Sequence, residues 1–468
     1  MQTSKLSKTE LFERVSIPRA LATMGIPTII SQLINLIYNM VDAFFIGRTG
    51  NHYMVAATTV TLTLTLLNVA FANLFGVGGG SLIARLMGQR RDEEGRLVSA
   101  YSVRGAIVIG LSYSLLVGLF MGPILRFLGA SDATVGFAGQ YTLYVIVFGS
   151  TPTVLALTLS HLLRNTGHSS QASFGLSMGG VLNMALDPVF MFVLLPRGQE
   201  VLGAALATLI SNVFGCGYLL YVYRRASSSA PLTLRLTQAG RLQKPLRRDL
   251  YAVGIPSAVL TGLFDVASVC VNVLAAAHDD LVLAAFGIVM KVERIPNAVN
   301  IGICQGMMPI VAYNYAADNR ERMNAAIRTA RTYGLLVSAA SIVLLELLAR
   351  PVTNFFLSTS TGDAADALKT IAFAAVFLRI RCLAAPVQLI NYHTSFSLQA
   401  IGNGGYTLLH ACVRELGLYI PLMFLLDGLF AERGLAAALP VGEGLGALFA
   451  LWLLHRALAK KPPRLANR

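Results

Sequence analysis

Twelve long apolar stretches dominate this chain and limit what it can fold into. They fall at 20–46, 54–86, 99–123, 137–160, 171–195, 202–223, 252–277, 281–312, 332–350, 367–398, 405–426 and 434–455. The hydrocarbon core of a bilayer is about 30 Å thick, and roughly 20 mostly apolar residues cross it as a helix. The stretches are too long for buried strands and lack the polar/apolar alternation of a membrane barrel. The expected fold is therefore an all-α membrane protein of twelve transmembrane helices. Composition agrees, with 13% charged residues against about 25% in a typical soluble domain.

The first apolar stretch is too long for the core of a cleavable signal peptide, so it is read as an uncleaved insertion signal. The five cysteines, Cys216, Cys270, Cys304, Cys382 and Cys412, all lie inside apolar stretches. They are read as core packing rather than as a disulfide framework or metal knuckle. The net charge of +14 invites a nucleic-acid partner, but its distribution argues against one. If both ends lie inside, 24 Lys and Arg sit in the inner tails and loops, and five on the other side: Arg48, Arg126, Arg197, Arg350 and Arg433. Lys and Arg concentrate in cytoplasmic loops, so both termini are expected in the cytoplasm.

The only long hydrophilic interruption is 224–250, which divides the chain into an N-lobe (1–223, helices 1–6), a cytoplasmic linker (224–250) and a C-lobe (251–468, helices 7–12). The halves resemble each other in order and spacing. MGIPTII (24–30) matches VGIPSAV (253–259), and VAATTV (55–60) matches LAAFGIV (283–289). GQRRDEEGR (88–96) then matches ADNRERMNA (317–325), and LRNTG (163–167) matches LQAIG (398–402). An internal duplication into two six-helix lobes is expected. Transporters commonly use such repeats and bind substrate where they meet.

Charged and amide side chains deep in a membrane are costly and usually face the bundle interior. On helix 1, Ser31, Asn35, Asn39 and Asp42 are spaced by four, four and three residues, which puts them on one face. Helix 5 carries Asn183 and Asp187 one turn apart, and helix 6 carries Thr208, Ser211 and Asn212 within a turn. Two carboxylates, amide oxygens and hydroxyls suit a monovalent cation, or a proton shared between acids. The bland reading for the amides and hydroxyls is helix–helix hydrogen bonding. In the second half, Thr261, Asp265, Ser268 and Asn272 share a face of helix 7. Helix 8 has Lys291, Glu293 and Arg294, helix 10 has Arg379 and Arg381, and helix 11 has Arg414 and Glu415. Asp265 either binds an ion or substrate or pairs with a helix 8 base. Glu346 and Arg350, four residues apart, are expected to form a surface pair. The pattern GxxxxGK[ST] is absent, as are HExxH, GxSxG and paired CxxC. ATP-driven transport and enzymatic catalysis therefore find no support.

At this point the sequence resembles a known family. IPTIISQLINLIYNMVDAFFIGRTG (26–50), GVGGGSLIARLMGQRRDEE (76–94), LLRNTGHSSQASFGLSMGGVLNMALDPVFMF (162–192) and GAALATLIS (203–211) are similar to successive segments of the multidrug and toxic compound extrusion (MATE) family. IGICQGMMPIVAYNYAADNRER (301–322), SLQAIGNG (397–404) and RELGLYIPL (414–422) continue the series, and the bacterial MepA/DinF-like branch is the nearest likeness. The resemblance implies a two-lobed transporter that alternates access to a central cavity and exports small organic cations by antiport with Na⁺ or H⁺. It carries an ion-coupling site, with Na⁺ possible, onto Asp42, Asn183, Asp187 and Thr208. The substrate cavity is expected around Asn35, Asn39, Asp265, Asn272, Arg294 and Gln399. Helix 10 lacks the acid that another branch uses, so a single ion-binding region is expected, in the first lobe. No cofactor is expected beyond the coupling ion. The expected partners are small organic cations and the lipid bilayer, without nucleic acid, for a monomer in the bacterial inner membrane. The alternative reading is a flippase of a lipid-linked precursor, kept open by Lys291, Arg294, Arg379 and Arg381.

Overall fold

The structure, a computed structural model, describes residues 8–357 and 364–459; the basic C-terminal tail beyond them lies outside the described residues. Eight helical elements are long and apolar enough to cross a bilayer, and two pairs of helices, each bent by 49°, supply two more crossings. In chain order the spans are α1 (Ile17–Gly47), α2 (His52–Gly88), α3 (Asp92–Leu119), α4 (Val135–Phe148 with Ser150–Asn165), α5 (Ser169–Leu194) and α6 (Glu200–Ala226). The second half follows with α7 (Lys244–His278), α8 (Asp280–Ala316), α9 (Arg320–Leu357) and α10 (Asp366–Cys382 with Ala385–Ala400). The last apolar element, Gly404–Ala459, is 56 residues long, about twice what one crossing needs. It turns back at Ala431 (φ 51°, ψ −142°), so that a Cβ on Gly434 would lie 1.8 Å from the Leu426 carbonyl. Residues 404–430 thus form α11 and 432–459 form α12. With α8, whose 37 residues carry Lys291, Glu293 and Arg294 in their first half, the described residues make twelve crossings.

The duplication is visible in the helices themselves. The two bent spans, α4 and α10, hold the same place in each half. The lobes meet along two equivalent crossings, α1 against α8 and α2 against α7. At the first, a Cβ on Gly306 would sit 2.6 Å from Gly25 Cα; at the second, a Cβ on Gly254 would sit 2.0 Å from the Leu74 carbonyl. Gly25 and Gly254 occupy matching places in the repeated GIP motifs. Only glycine allows backbones this close, a usual device where membrane helices pack without a hydrophobic driving force.

Both crossings lie near the membrane face at which α1 begins and α12 ends. Further links between the lobes fall there too. Ser81 Oγ donates to the Gln399 carbonyl at 2.6 Å, and Arg164 Nη1 donates to Gln305 Oε1 at 2.9 Å. The short helix Lys8–Glu13 straps the same face: Glu13 accepts from Arg90 of one lobe and Tyr313 of the other, both at 2.5 Å. The lobes are therefore joined at the terminal face.

Candidate ion and substrate site

On α1, Ile26, Ile30, Ile37 and Phe44 form an exposed apolar stripe, the face a membrane helix turns to lipid. Asn35 and Asn39 are exposed on the opposite side of the same helix, about 180° away by helical periodicity. The amide pair therefore points away from the lipid-facing stripe. Asn39 Nδ2 donates to the Asn35 carbonyl at 2.6 Å. In the other lobe, Asn272 is exposed on the stripe of α7 that also carries Gly254 and Thr261. Thr261 itself bridges the lobes, accepting from Asn73 Nδ2 at 3.0 Å.

The first lobe gathers acids and amides from three helices. Asn183 Nδ2 donates to Asp187 Oδ1 and to Thr208 Oγ1, each at 3.2 Å. Asp187 is fully buried and Asn183 is 3% exposed. Asp42 is half-buried, and its charge acts on Asp187. Both carboxylates act on the same two phenols, Tyr38 and Tyr141, and Tyr141 reaches Thr208. Asp42 Oδ1, Asn183 Oδ1 and Asp187 Oδ2 are buried and accept no hydrogen bond. Leaving a buried oxygen unsatisfied costs about 1–3 kcal/mol, more when it is charged. Three such oxygens close together are what a bound monovalent cation, or a proton on a carboxylate, would satisfy. Pro188 follows Asp187, and the helix widens into a π-turn over Phe190–Leu194, a departure common where helices serve function.

Of the four expected ion-site residues, Asn183, Asp187 and Thr208 are joined by hydrogen bonds, and Asp42 lies near enough for its charge to bear on Asp187. Tyr38 and Tyr141 join them without being singled out by the sequence, because an aromatic ring on an apolar helix reads as packing. Ser31 is buried, and Asn212 is taken up in packing by donating to Thr153 Oγ1 at 3.1 Å. The expected cavity residues scatter more widely. Asn35, Asn39 and Asn272 are exposed, and Arg294 is exposed at the wall of a small second-lobe cavity. Gln399 is 3% exposed and buried at the seam between the lobes, away from the others. Asp265 is placed on α7, but its side chain lies outside the described residues.

The second lobe holds buried ion pairs. Arg381 clamps Glu293 with two hydrogen bonds, Nη2 to Oε2 at 3.0 Å and Nε to Oε1. Arg414 clamps Glu443 in the same manner, at 2.9 and 2.6 Å. Glu346 pairs with Arg379 at 3.6 Å rather than with Arg350; the contact between α9 and α10 overrides the in-helix spacing. Arg48 lies over the Phe44 ring. Glu443 was missed, although it is the lone acid between Gly434 and His455 and was therefore a visible signal.

Comparisons with known proteins bear on this architecture. The family model described as MatE matches residues 27–189 and 256–425, a stretch in each half. A multidrug export protein MepA of Staphylococcus saprophyticus is 27% identical over 445 residues, covering 95% of both chains. A Staphylococcus aureus MepA is 26% identical over 447 residues, again covering 95% of both. Among solved structures, an outward-facing multidrug resistance MATE family transporter of the MOP superfamily superposes with a TM-score of 0.89 at 22% identity, covering 98% of this chain and 99% of that one. A MATE in complex with MaL6 superposes at 0.90 and 21% identity, over 98% and 99%.

Proposed function

Since this chain belongs to the MATE family, we propose that it exports small organic cations by antiport with Na⁺ or H⁺, opening a cleft between its lobes to each membrane face in turn. It is a multi-pass helical transporter, and the relatives it matches over nearly full length are multidrug exporters. The observation that carries the antiport reading is the first-lobe cluster. Asp42, Asn183 and Asp187 present three buried oxygens without hydrogen-bond partners. Two facing carboxylates repel each other, and a cation or proton relieves that repulsion. Ion occupancy thus changes how α1 and α5 pack, and α1 also contacts the other lobe. Asn35, Asn39 and Asn272 would line the path of the substrate.

Against the flippase alternative, Arg379 and Arg381 are already paired with Glu346 and Glu293, which removes half of the cationic groove that reading needs. We place the protein as a monomer in the bacterial inner membrane with both termini in the cytoplasm. The lobes are then sealed on the inside and the cleft opens outward. The export reading is tested in a host stripped of its own pumps. Cells expressing the protein should clear preloaded ethidium several-fold faster than the empty host, and equal rates across a panel of cationic dyes would overturn it. The orientation is tested separately. Ser228 is exposed in the interruption between the halves. A Ser228→Cys variant should react with a membrane-impermeant maleimide only after the cells are opened; labelling of intact cells would reverse the topology.

A further inference from the structure

We propose that Glu415 is a second proton-binding site, in the lobe opposite the first, and that it carries a proton through each transport cycle. The proposal rests on the ion-driven reading above and adds a second ion to the single region expected from sequence.

Of the three acids around the second-lobe cavity, two are clamped by an arginine and one is not. Glu293 is saturated by Arg381. Glu443 is saturated by Arg414 and by Asn391 Nδ2, which donates to it at 2.6 Å. Asn391 is in turn held through its Oδ1 by His410 at 3.1 Å, and His410 by Ser395 at 3.0 Å. Glu415 is left over. Its side chain is 2% exposed, its Oε1 accepts no hydrogen bond, and the guanidinium that approaches it, Arg414 at 3.5 Å, is already committed to Glu443. A buried carboxylate without a dedicated partner is costly, and taking up a proton removes the charge.

Glu415 also faces a small cavity. It is lined by Glu293, Asn297, Gln388, Tyr419 and Glu443 among others, with Ser268 and the exposed Arg294 on its wall. The cavity is about 40 Å³, room for about three waters. That suffices for a proton relay and is far below the roughly 300 Å³ of a drug-sized pocket. A metal cation is disfavoured because two guanidiniums, Arg381 and Arg414, flank the acids. Glu415 sits in the π-helical stretch Val413–Tyr419 of α11, as Asp187 sits just before the one in α5.

The site is not a copy of the first. Aligning Pro188 with Pro421 sets Ile420 opposite Asp187, so the second lobe has no acid at that place and carries its own on α8, α11 and α12. The ionisable groups around Glu415 are Arg414, Tyr419 and His410 on α11, Glu443 on α12, Tyr392 and Arg381 on α10, and Glu293 and Arg294 on α8. On α7 the nearest candidate is Asp265, whose side chain is outside the described residues.

The test uses the full chain in liposomes clamped with valinomycin, with ethidium as a monovalent probe and the H⁺ and Na⁺ gradients held fixed. Two inward ions against one outward monocation move one net charge. At about 2.3 kcal/mol per charge per 100 mV, the equilibrium accumulation ratio should change tenfold for about 60 mV. Glu415→Gln should still accumulate ethidium with a ratio that no longer responds to voltage, and Glu415→Asp should restore the response. A wild type without voltage dependence, or a Gln variant that keeps it, would overturn the proposal. A second readout stands apart from transport: infrared difference spectra between about pH 5 and about pH 9. Glu415→Gln should delete one protonated-carboxyl component, and Glu415→Asp should shift it. Unchanged spectra would overturn the proposal even if ethidium proved not to be carried. Failure of ethidium transport with the component deleted would instead count against the exporter reading and leave the proton site standing.

Discussion

Asp187→Asn should abolish gradient-driven export while leaving folded protein in the membrane. Asparagine keeps the shape of the side chain and an oxygen for the Asn183 amide, now 3.2 Å from Asp187 Oδ1. What disappears is the charge that a cation or proton would neutralise. Replacing a buried ionised group by a neutral one of like volume is often neutral or stabilising, so the variant should unfold at or above the wild-type temperature. Substrate accumulation in liposomes under an imposed ion gradient should fall to the level seen without a gradient. Normal accumulation would remove Asp187, and with it the first-lobe cluster, from the coupling step.

Arg414→Met should be the most destabilising of the substitutions considered, by about 3–5 kcal/mol. Arg414 is among the largest fully buried side chains. It joins α11 to α12 through its two bonds to Glu443 and lies over the Tyr392 ring, 5.2 Å from its centroid. Methionine fills much of the volume but strands Glu443 and Glu415 as neighbouring buried acids. Unfolding in detergent should show the loss, and adding Glu443→Gln to the variant should recover part of it, because the stranded charge rather than the missing contact is the main cost. Wild-type stability in the single variant would mean that the α11–α12 hairpin is held by packing alone.

These two sites differed in how legible they were. Helical spacing alone put Asn183 and Asp187 on one face and aligned Asn35, Asn39 and Asp42 on another, because a polar residue is conspicuous on an apolar helix and the period of 3.6 assigns its face. The twelve spans were legible from the length of the apolar stretches, and the duplication from matching motifs such as those that hold Gly25 and Gly254. Long-range pairings were not. Arg381 finds Glu293 88 positions away in the sequence, and Glu346 prefers Arg379 on the next helix to Arg350 on its own. Such choices depend on how bent helices pack, and the 49° bends of α4 and α10 leave no simple periodic signal. Gln399 was expected in the cavity, but Ser81 bonds to its carbonyl and it lies buried in the seam.

Ion-driven export is tested most directly by ethidium movement in liposomes holding the wild-type chain, with H⁺ and Na⁺ gradients imposed one at a time and no nucleotide present. An inward gradient of the coupling ion should drive ethidium against its own gradient, and collapsing that gradient with an ionophore should return it to equilibrium. Uphill movement that persists without either gradient, or none under both, would contradict ion-coupled antiport by this protein.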